Sequence, residues 1–469
     1  MRVPPGPRGR EALGFLGIGA PAKILTFLEA TARRYGPIAS FRVFGQRVVV
    51  LDDADLIGDV LQHRQHVFRR DVGAVLLREL VGDGVLSTDD PVHLARRRLL
   101  QPAFHRARIG GYLKTIAAHA ETTARSWRGR AHVDIGAEMT RLTLVVVGDA
   151  LFGADVGESV HTVADVLSEM ANRGGRVQPF LAPLAPLLFF LRTLSPRPSR
   201  LVFRQERARL ERVVDPIVGC RRREGGERSD LLAMLLAARD DDGIGLTDED
   251  VRNELITFVL AGHETTSSAL TWAWYAIARD ERIAASLFAE IDTVLGDREI
   301  AMDDVAKLPY TAAIFNEALR LYPPAAAFGR RPTETIELGG YRVPRNASIF
   351  VSPYVTQRNP RYFKDPATFR PERWFDAPPP KFAFFPFGGG SKLCLGEPFA
   401  RAEGVLILAT IARRWKMRLA DPTPVEPSAQ ALLRPARPIV MELEPREGAG
   451  DYAPDQISSL ASNRAGISR

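Results

Sequence analysis

Two cysteines stand in the 469 residues, Cys220 and Cys394. Only the second sits in a setting suited to chemistry. It sits in the run Phe387-Gly388-Gly389-Gly390-Ser391-Lys392-Leu393-Cys394-Leu395-Gly396, of the form F-x-x-G-x-x-x-C-x-G. Glycines let a backbone approach a flat macrocycle closely, and amides near the sulfur favour the thiolate, which is the ligating form of cysteine. Helix-like residues from Pro398 onward bring a positive dipole end close by. With 24 Phe, 2 Cys and 38 Gly in the chain, such a match arises by chance in on the order of one sequence in a thousand. A cysteine outside such a loop is more often a buried apolar filler, and Cys220, in a basic helix ending at Arg221 to Arg223, takes that reading. The separation of the two cysteines suggests neither a disulfide framework nor a paired-cysteine metal site, which fits a reducing, cytoplasmic compartment.

This loop resembles the cysteine loop of the cytochrome P-450 family, and three further patterns occur in the family's order. Ala261-Gly262-His263-Glu264-Thr265-Thr266 is similar to the family's oxygen-activation motif. There a small residue followed by Gly lets a helix pass close to a haem face and leaves room for oxygen and water. Glu264 and Thr265 are then a proton-delivery pair; taken without its context, the same run reads as a Thr-rich helix with a solvated Glu. Glu317 and Arg320, at i and i+3 on one helix face, with Arg373 in Pro371-Glu372-Arg373-Trp374, resemble the family's structural triad, although an isolated E-x-x-R is usually a surface ion pair. Upstream, His93 and Arg97 match the pair directed at a haem propionate, and Arg330 matches another propionate ligand, with Arg331 as the fallback. Outside this context His93 reads as a surface histidine and Arg96 to Arg98 as a solvated basic face. Where the family usually has Arg or His, Lys392 stands two residues before the cysteine, supplying charge without a bidentate fork.

The resemblance runs from about Pro37 to Pro445. It implies haem b as cofactor, bound through Cys394 and contacted by Ala261, Phe387, Gly388 and Gly396 as well as by His93, Arg97, Arg330 and Lys392. It implies a monooxygenase that inserts one atom of O2 into a hydrophobic small molecule such as a terpenoid, fatty acid or macrolide-like metabolite. Candidate pocket segments are Gly73 to Leu86, Asn172 to Leu191, Phe258 to Ala261, Ala325 to Phe328 and Ala431 to Leu433. Electrons must come from a separate reductase system, since the chain shows no dinucleotide fingerprint and has too few cysteines to ligate an iron–sulfur cluster; a ferredoxin with its ferredoxin reductase is the expected donor. Arg96, Arg98, Arg106, Arg108 and Lys392 are the expected docking face. Other readings are a haem-thiolate peroxygenase or isomerase, and a non-catalytic haem-based sensor or ligand-binding protein.

Positioning these residues requires mostly helices. Periodicity predicts them over Tyr112 to Trp127, Leu201 to Arg223, Asp248 to Ala278 and Tyr310 to Leu321, the third capped by Thr247 to Asp250. Ile38 to Val43 and Arg47 to Leu51 read as a hairpin, and strand signals are otherwise sparse. The fold class expected is mainly α with a smaller β region, the family's fold, with haem between the central helix and the cysteine loop. Length alone permits several domains, whereas the resemblance implies one over 1–446; residues 447–469 are expected to be a disordered tail. A net charge of +7, from 63 basic and 56 acidic residues, reads as ordinary solubility, with no nucleic-acid partner. No transmembrane anchor is expected, because Ala12 to Ala20 is short and Phe180 to Leu191, a candidate lip over a substrate entrance, is interrupted by prolines.

Overall fold

The hairpin forms where its β-branched residues call for it. Strands Ile38–Val43 and Gln46–Leu51 pair antiparallel, Ile38 opposite Leu51, and Gly45 takes φ 80° in the turn, a value glycine adopts without penalty. A computed structural model describes residues 2–16, 22–43, 45–153, 203–224, 230–239, 243–296, 300–429 and 432–446, with 162, 166 and 298 besides. The expected tail over 447–469, the stretch Phe180 to Leu191 and the pocket segment Asn172 to Leu191 lie outside the described residues, as do Leu201, Val202 and Ala431.

Three more strands complete the hairpin's sheet. Ser348–Val351 runs parallel to Gln46–Leu51, Phe328–Pro332 pairs antiparallel with it, and Phe68–Arg70 forms the far edge. Alternation sends Val49, Leu51, Ile349 and Val351 to one side, where they pack with Ile57, Leu61 and Phe385. Val48 and Val50 go to the other side, with Leu25, Leu28 and Tyr354. Smaller sheets join Ile336–Leu338 to Tyr341–Val343, Pro427–Ala429 to Leu433–Pro435, and His132–Asp134 to Val440–Pro445 and Trp415–Leu419.

Helices make the rest, so the protein is mainly α with a smaller β region. The central helix Asp248–Arg279 has 32 residues, about 48 Å at 1.5 Å per residue. Its start is a capping box: the Thr247 hydroxyl accepts from the Asp250 amide at 3.2 Å, and the Asp250 carboxylate accepts from the Thr247 amide at 3.1 Å. Beyond the first turn it is buried on nearly every side, Trp272 and Trp274 included, and so behaves as a core element rather than an amphipathic surface helix. It packs against helices Ile135–Phe152, Arg204–Glu224, Pro309–Leu321 and Glu397–Arg414.

Expected helices appear at Arg106–Ser126, Arg204–Glu224, Asp248–Arg279 and Pro309–Leu321. The first begins six residues earlier than predicted, because Gly110 and Gly111 blur the periodicity of its opening turns without preventing them. Cys220 corrects the sequence reading: it is exposed on its helix, not buried. Among the described residues no helix is long and apolar enough to cross a membrane.

Candidate haem-thiolate site

The cysteine loop is held in shape by positive φ at Gly388 (78°) and Gly390 (67°). Its backbone folds onto itself: Gly388 N donates to Phe385 O at 3.0 Å, Leu393 N to Gly390 O at 3.1 Å, and Cys394 N to Phe387 O at 3.0 Å. A Cβ on Gly390 would fall 1.8 Å from Leu61 O, and one on Gly389 would fall 2.5 Å from the Phe382 ring. The loop therefore sits flush on the segment around Leu61, and Gln65 Oε1 accepts from Ser391 N at 2.5 Å. Gly396 leaves the space beside sulfur open, since a Cβ there would lie 3.9 Å from Sγ. Its carbonyl accepts from Ala400 N at 2.8 Å in the first turn of the cysteine helix, Glu397–Arg414. The Phe387 ring lies under the Arg401 guanidinium at 4.8 Å.

Cys394 is open on one side and walled by protein on the others. Burial pushes its thiol up; the Gly396 amide, the Arg97 guanidinium and the Glu397 amide pull it back, while the Glu397 charge adds to the rise. A metal cation on sulfur would reverse that preference for the protonated form.

Behind the loop lies a cationic cluster. Arg97, on helix Val92–Leu100, donates to Leu393 O at 2.5 Å. His93 is buried, its Nδ1 lies 3.0 Å from Asp90 Oδ1, and burial with the Arg70 charge lowers it to about 4, so the ring is neutral. Lys392 pairs with Asp90 at 3.5 Å, its side chain only 5% exposed. It therefore points inward, which removes it from the expected docking face; Arg96, bonded to Asp250, also leaves that face. Arg98 and Arg108 remain exposed, and the Arg106 side chain lies outside the described set. Arg330 is buried, and burial and the Arg70 charge lower its pKa to about 10, whereas Arg331 turns to Asp71 at 3.7 Å.

Sequence reasoning missed Arg70. It sits opposite Arg330 in the edge-strand register and donates to Thr88 O at 2.8 Å and Val85 O at 3.0 Å. Like charges directly across a strand pair are unfavourable unless an anion intervenes. Arg70, Arg97, Arg330, Arg331 and Lys392 gather here with Asp71, Asp89 and Asp90, five cations against three carboxylates, so positive charge is in excess by two in a largely buried cluster. That is the complement of a group carrying two carboxylates, as protoporphyrin does.

On the central helix, the Thr265 hydroxyl donates to Ala261 O at 2.8 Å, and Thr266 to Gly262 O at 3.2 Å. Ala261 is half-buried, and a Cβ on Gly262 would meet Val147 at 3.0 Å, the closeness of the neighbouring helix that selects glycine there. Glu264 is nearly buried rather than solvated, and its carboxylate contacts the Arg434 guanidinium, a partner no motif announced. The buried carboxyl of Glu403, on the cysteine helix, is pushed up to about 8 by burial and pulled back by the Thr266 hydroxyl. The helix carrying Glu264 and the helix following Cys394 thus meet beside the motif.

Glu317, Arg320 and Arg373 converge as expected, buried rather than as a surface pair. Glu317 accepts from Arg320 at 2.8 and 2.9 Å and from Arg373 at 2.9 Å. Arg320 donates to Gln357 O at 2.8 Å, and the Gln357 side chain accepts from Phe385 N at 3.0 Å. Gln357, unmarked in the sequence, therefore links the triad to the run that opens the cysteine loop.

The sequence profile described as cytochrome P450, the cytochrome P-450 family, matches residues 4–443. Cyclooctatin synthase of Streptomyces melanosporofaciens is 38% identical over 79% of this chain and 80% of its own. Pentalenene oxygenase of Streptomyces avermitilis is 32% identical over 88% and 91%. Cyclooctat-9-en-7-ol 5-monooxygenase of Streptomyces melanosporofaciens is 33% identical over 85% of each. With the cysteine loop, the cationic cluster and the buried triad in place, the chain belongs to the cytochrome P-450 family, whose members bind haem b and act as monooxygenases.

Proposed function

We propose that this protein oxygenates a terpenoid, with Cys394 as the iron ligand and electrons from a separate ferredoxin and its reductase. The observation that carries the reading is the cysteine loop: a thiol open on one side, amides of a helix start beside it, and an excess of positive charge behind it. The substrate class rests on relatives named for pentalenene and for cyclooctat-9-en-7-ol. It rests also on apolar side chains near the motif, with Phe258 against Phe104 at 5.4 Å.

Bound haem supplies oxygen activation at a thiolate-ligated iron. The chain's own residues do the rest. Arg97, Arg330, Lys392 and Arg70 would hold the propionates by charge, and His93 would donate to one of them once the propionate's negative charge restores the second ring proton. Thr265 gives up its bond to Ala261 O to hold and direct a proton in the pocket, and Glu264 refills it. Apolar walls keep bulk water from short-circuiting that path.

The test is a screen for ligand-induced spin-state shifts across cyclic terpenes, terpene alcohols, fatty acids, macrolides and polar metabolites, followed by turnover under isotopically labelled O2. The expected result is tight binding of cyclic terpenes or their alcohols and one labelled oxygen in the product. Tight responses confined to highly polar compounds contradict the reading.

A further inference from the structure

We infer that the outer face of helix Ala22–Tyr35, with the short 3-10 helix before it, docks this protein by charge on an anionic lipid bilayer. The inference goes beyond the terpenoid reading and takes from it only that the substrate is apolar enough to partition into lipid. It starts from an uneven charge. Residues 1–47 hold eight basic residues and two acidic ones, and neither acid neutralises the outer face. Glu29 is half-buried and turns to Arg358 at 3.8 Å, while Glu11 is taken up by Arg34 at 3.0 Å.

Helix Ala22–Tyr35 buries Leu25, Leu28 and Ala32 in a cluster with Val48, Val50 and Tyr354. Its opposite face carries Lys23, Thr26, Ala30, Arg33 and Arg34, all exposed, at i, i+3, i+7, i+10 and i+11. That face runs about 16 Å at 1.5 Å per residue. It presents three cations and no acid. The 3-10 helix Gly9–Leu16 lies alongside, joined by the Glu11 to Arg34 pair and by Phe15 against Phe27 at 6.3 Å. It brings exposed Arg10, and exposed Arg8 stands one 3-10 turn from Glu11, so both flank the same face. Among the described residues no carboxylate forms an ion pair with Arg8, Arg10, Lys23 or Arg33; Arg33 acts on Glu29 only at longer range.

The apolar side of the helix is already committed to the core, so it cannot sink into a bilayer as an amphipathic anchor does. Contact must be made by charge, which suits anionic headgroups and is reversible with salt. What lies behind the helix selects lipid as the partner. Leu433 and Ala326 pack into the same cluster as Leu25 and Leu28, and both belong to candidate walls of the substrate pocket. One helix thickness, about 10 Å, therefore separates the cationic face from those walls. A bilayer held there stores an apolar substrate beside the pocket, whereas the proposed ferredoxin is expected at Arg98 and Arg108.

The experiment mixes haem-loaded protein with vesicles of phosphatidylcholine alone, or of phosphatidylcholine and phosphatidylglycerol in equal parts, and reads the fraction that sediments with lipid. The wild type should bind the mixed vesicles at low ionic strength, leave them as salt rises, and ignore phosphatidylcholine. Each cation at an anionic surface strengthens binding about fivefold, so Lys23→Glu/Arg33→Glu should weaken it about twentyfold or more. Lys23→Gln/Arg33→Gln should weaken it in the same direction without introducing acids. Arg98→Glu/Arg108→Glu removes the same net charge from elsewhere and should bind close to wild type. Haem content and ligand-induced spin-state shifts in lipid-free buffer should be unchanged in all of them. No binding to mixed vesicles, equal binding to both vesicle types, or an equal loss in Arg98→Glu/Arg108→Glu would overturn the inference. So would vesicle binding that survives Lys23→Glu/Arg33→Glu while ferredoxin-driven reduction slows, which would make the face a dock for an acidic protein. The terpenoid reading stands or falls on the ligand screen, which contains no lipid.

Discussion

At the scale of single residues, the proposed proton control rests on a few atoms of the central helix. The Thr265 hydroxyl commits its proton to Ala261 O, and that local bond must be given up for it to act in the pocket. Thr265→Ala should leave haem content and substrate affinity close to wild type while NADPH consumption continues and hydrogen peroxide replaces much of the oxygenated product. Product-to-NADPH stoichiometry with a hydroxyl-free substrate checks this, and full coupling there would remove Thr265 from the mechanism. Cys394, Glu264, Thr265, His93 and Arg97 were legible because their spacing is itself a motif. Arg70, Gln357 and Arg434 were not: each acts through a partner distant in sequence, opposite Arg330 across a strand pair, beneath Phe385, and against Glu264. Only the Phe68–Arg70 register could have exposed Arg70, and three residues are too few to show an alternating pattern.

Among elements, those with long periodic runs could be read directly and the short ones could not. The hairpin Ile38–Val43 with Gln46–Leu51 and the capped helix at Asp248 follow from local residue preference. Strands such as Ile336–Leu338 and Leu433–Pro435 are three residues long and exist because a neighbouring chain segment pairs with them, which no local propensity encodes. The contact of the central helix with the cysteine helix was likewise hidden, since Glu403 carries no signature. Its consequence is measurable. A carboxyl raised from 4.5 to about 8 by burial stays protonated in the folded state while the unfolded chain ionises. Its contribution to stability is fully present below pH 4.5 and is lost progressively as pH rises towards 8. Glu403→Gln removes that titration. Denaturant unfolding of the two proteins should therefore show the wild type losing stability relative to the variant from about pH 5 to pH 8, and parallel pH dependences would show that Glu403 does not titrate there.

For the whole molecule, the proposed ferredoxin would make charge the guide by which electrons arrive. Helix Val92–Leu100 lies against the cysteine loop through Arg97, and helix Arg106–Ser126 packs on the cysteine helix, with Tyr112 against Phe399 at 5.9 Å. Exposed Arg98 and Arg108 stand on these two helices. An acidic ferredoxin steered to that face should reduce the haem more slowly as salt rises. Arg98→Glu with Arg108→Glu should slow reduction at low salt and flatten the salt dependence in stopped-flow traces; an unaltered salt dependence would place the docking face elsewhere. All of this depends on which sulfur holds the iron. The most direct test is the spectrum of the reduced carbon monoxide complex in the wild type, Cys394→His and Cys220→Ala. The wild type and Cys220→Ala should show the red-shifted Soret band of a trans thiolate, and Cys394→His should lose it. Survival of the band in Cys394→His together with its loss in Cys220→Ala would contradict the account.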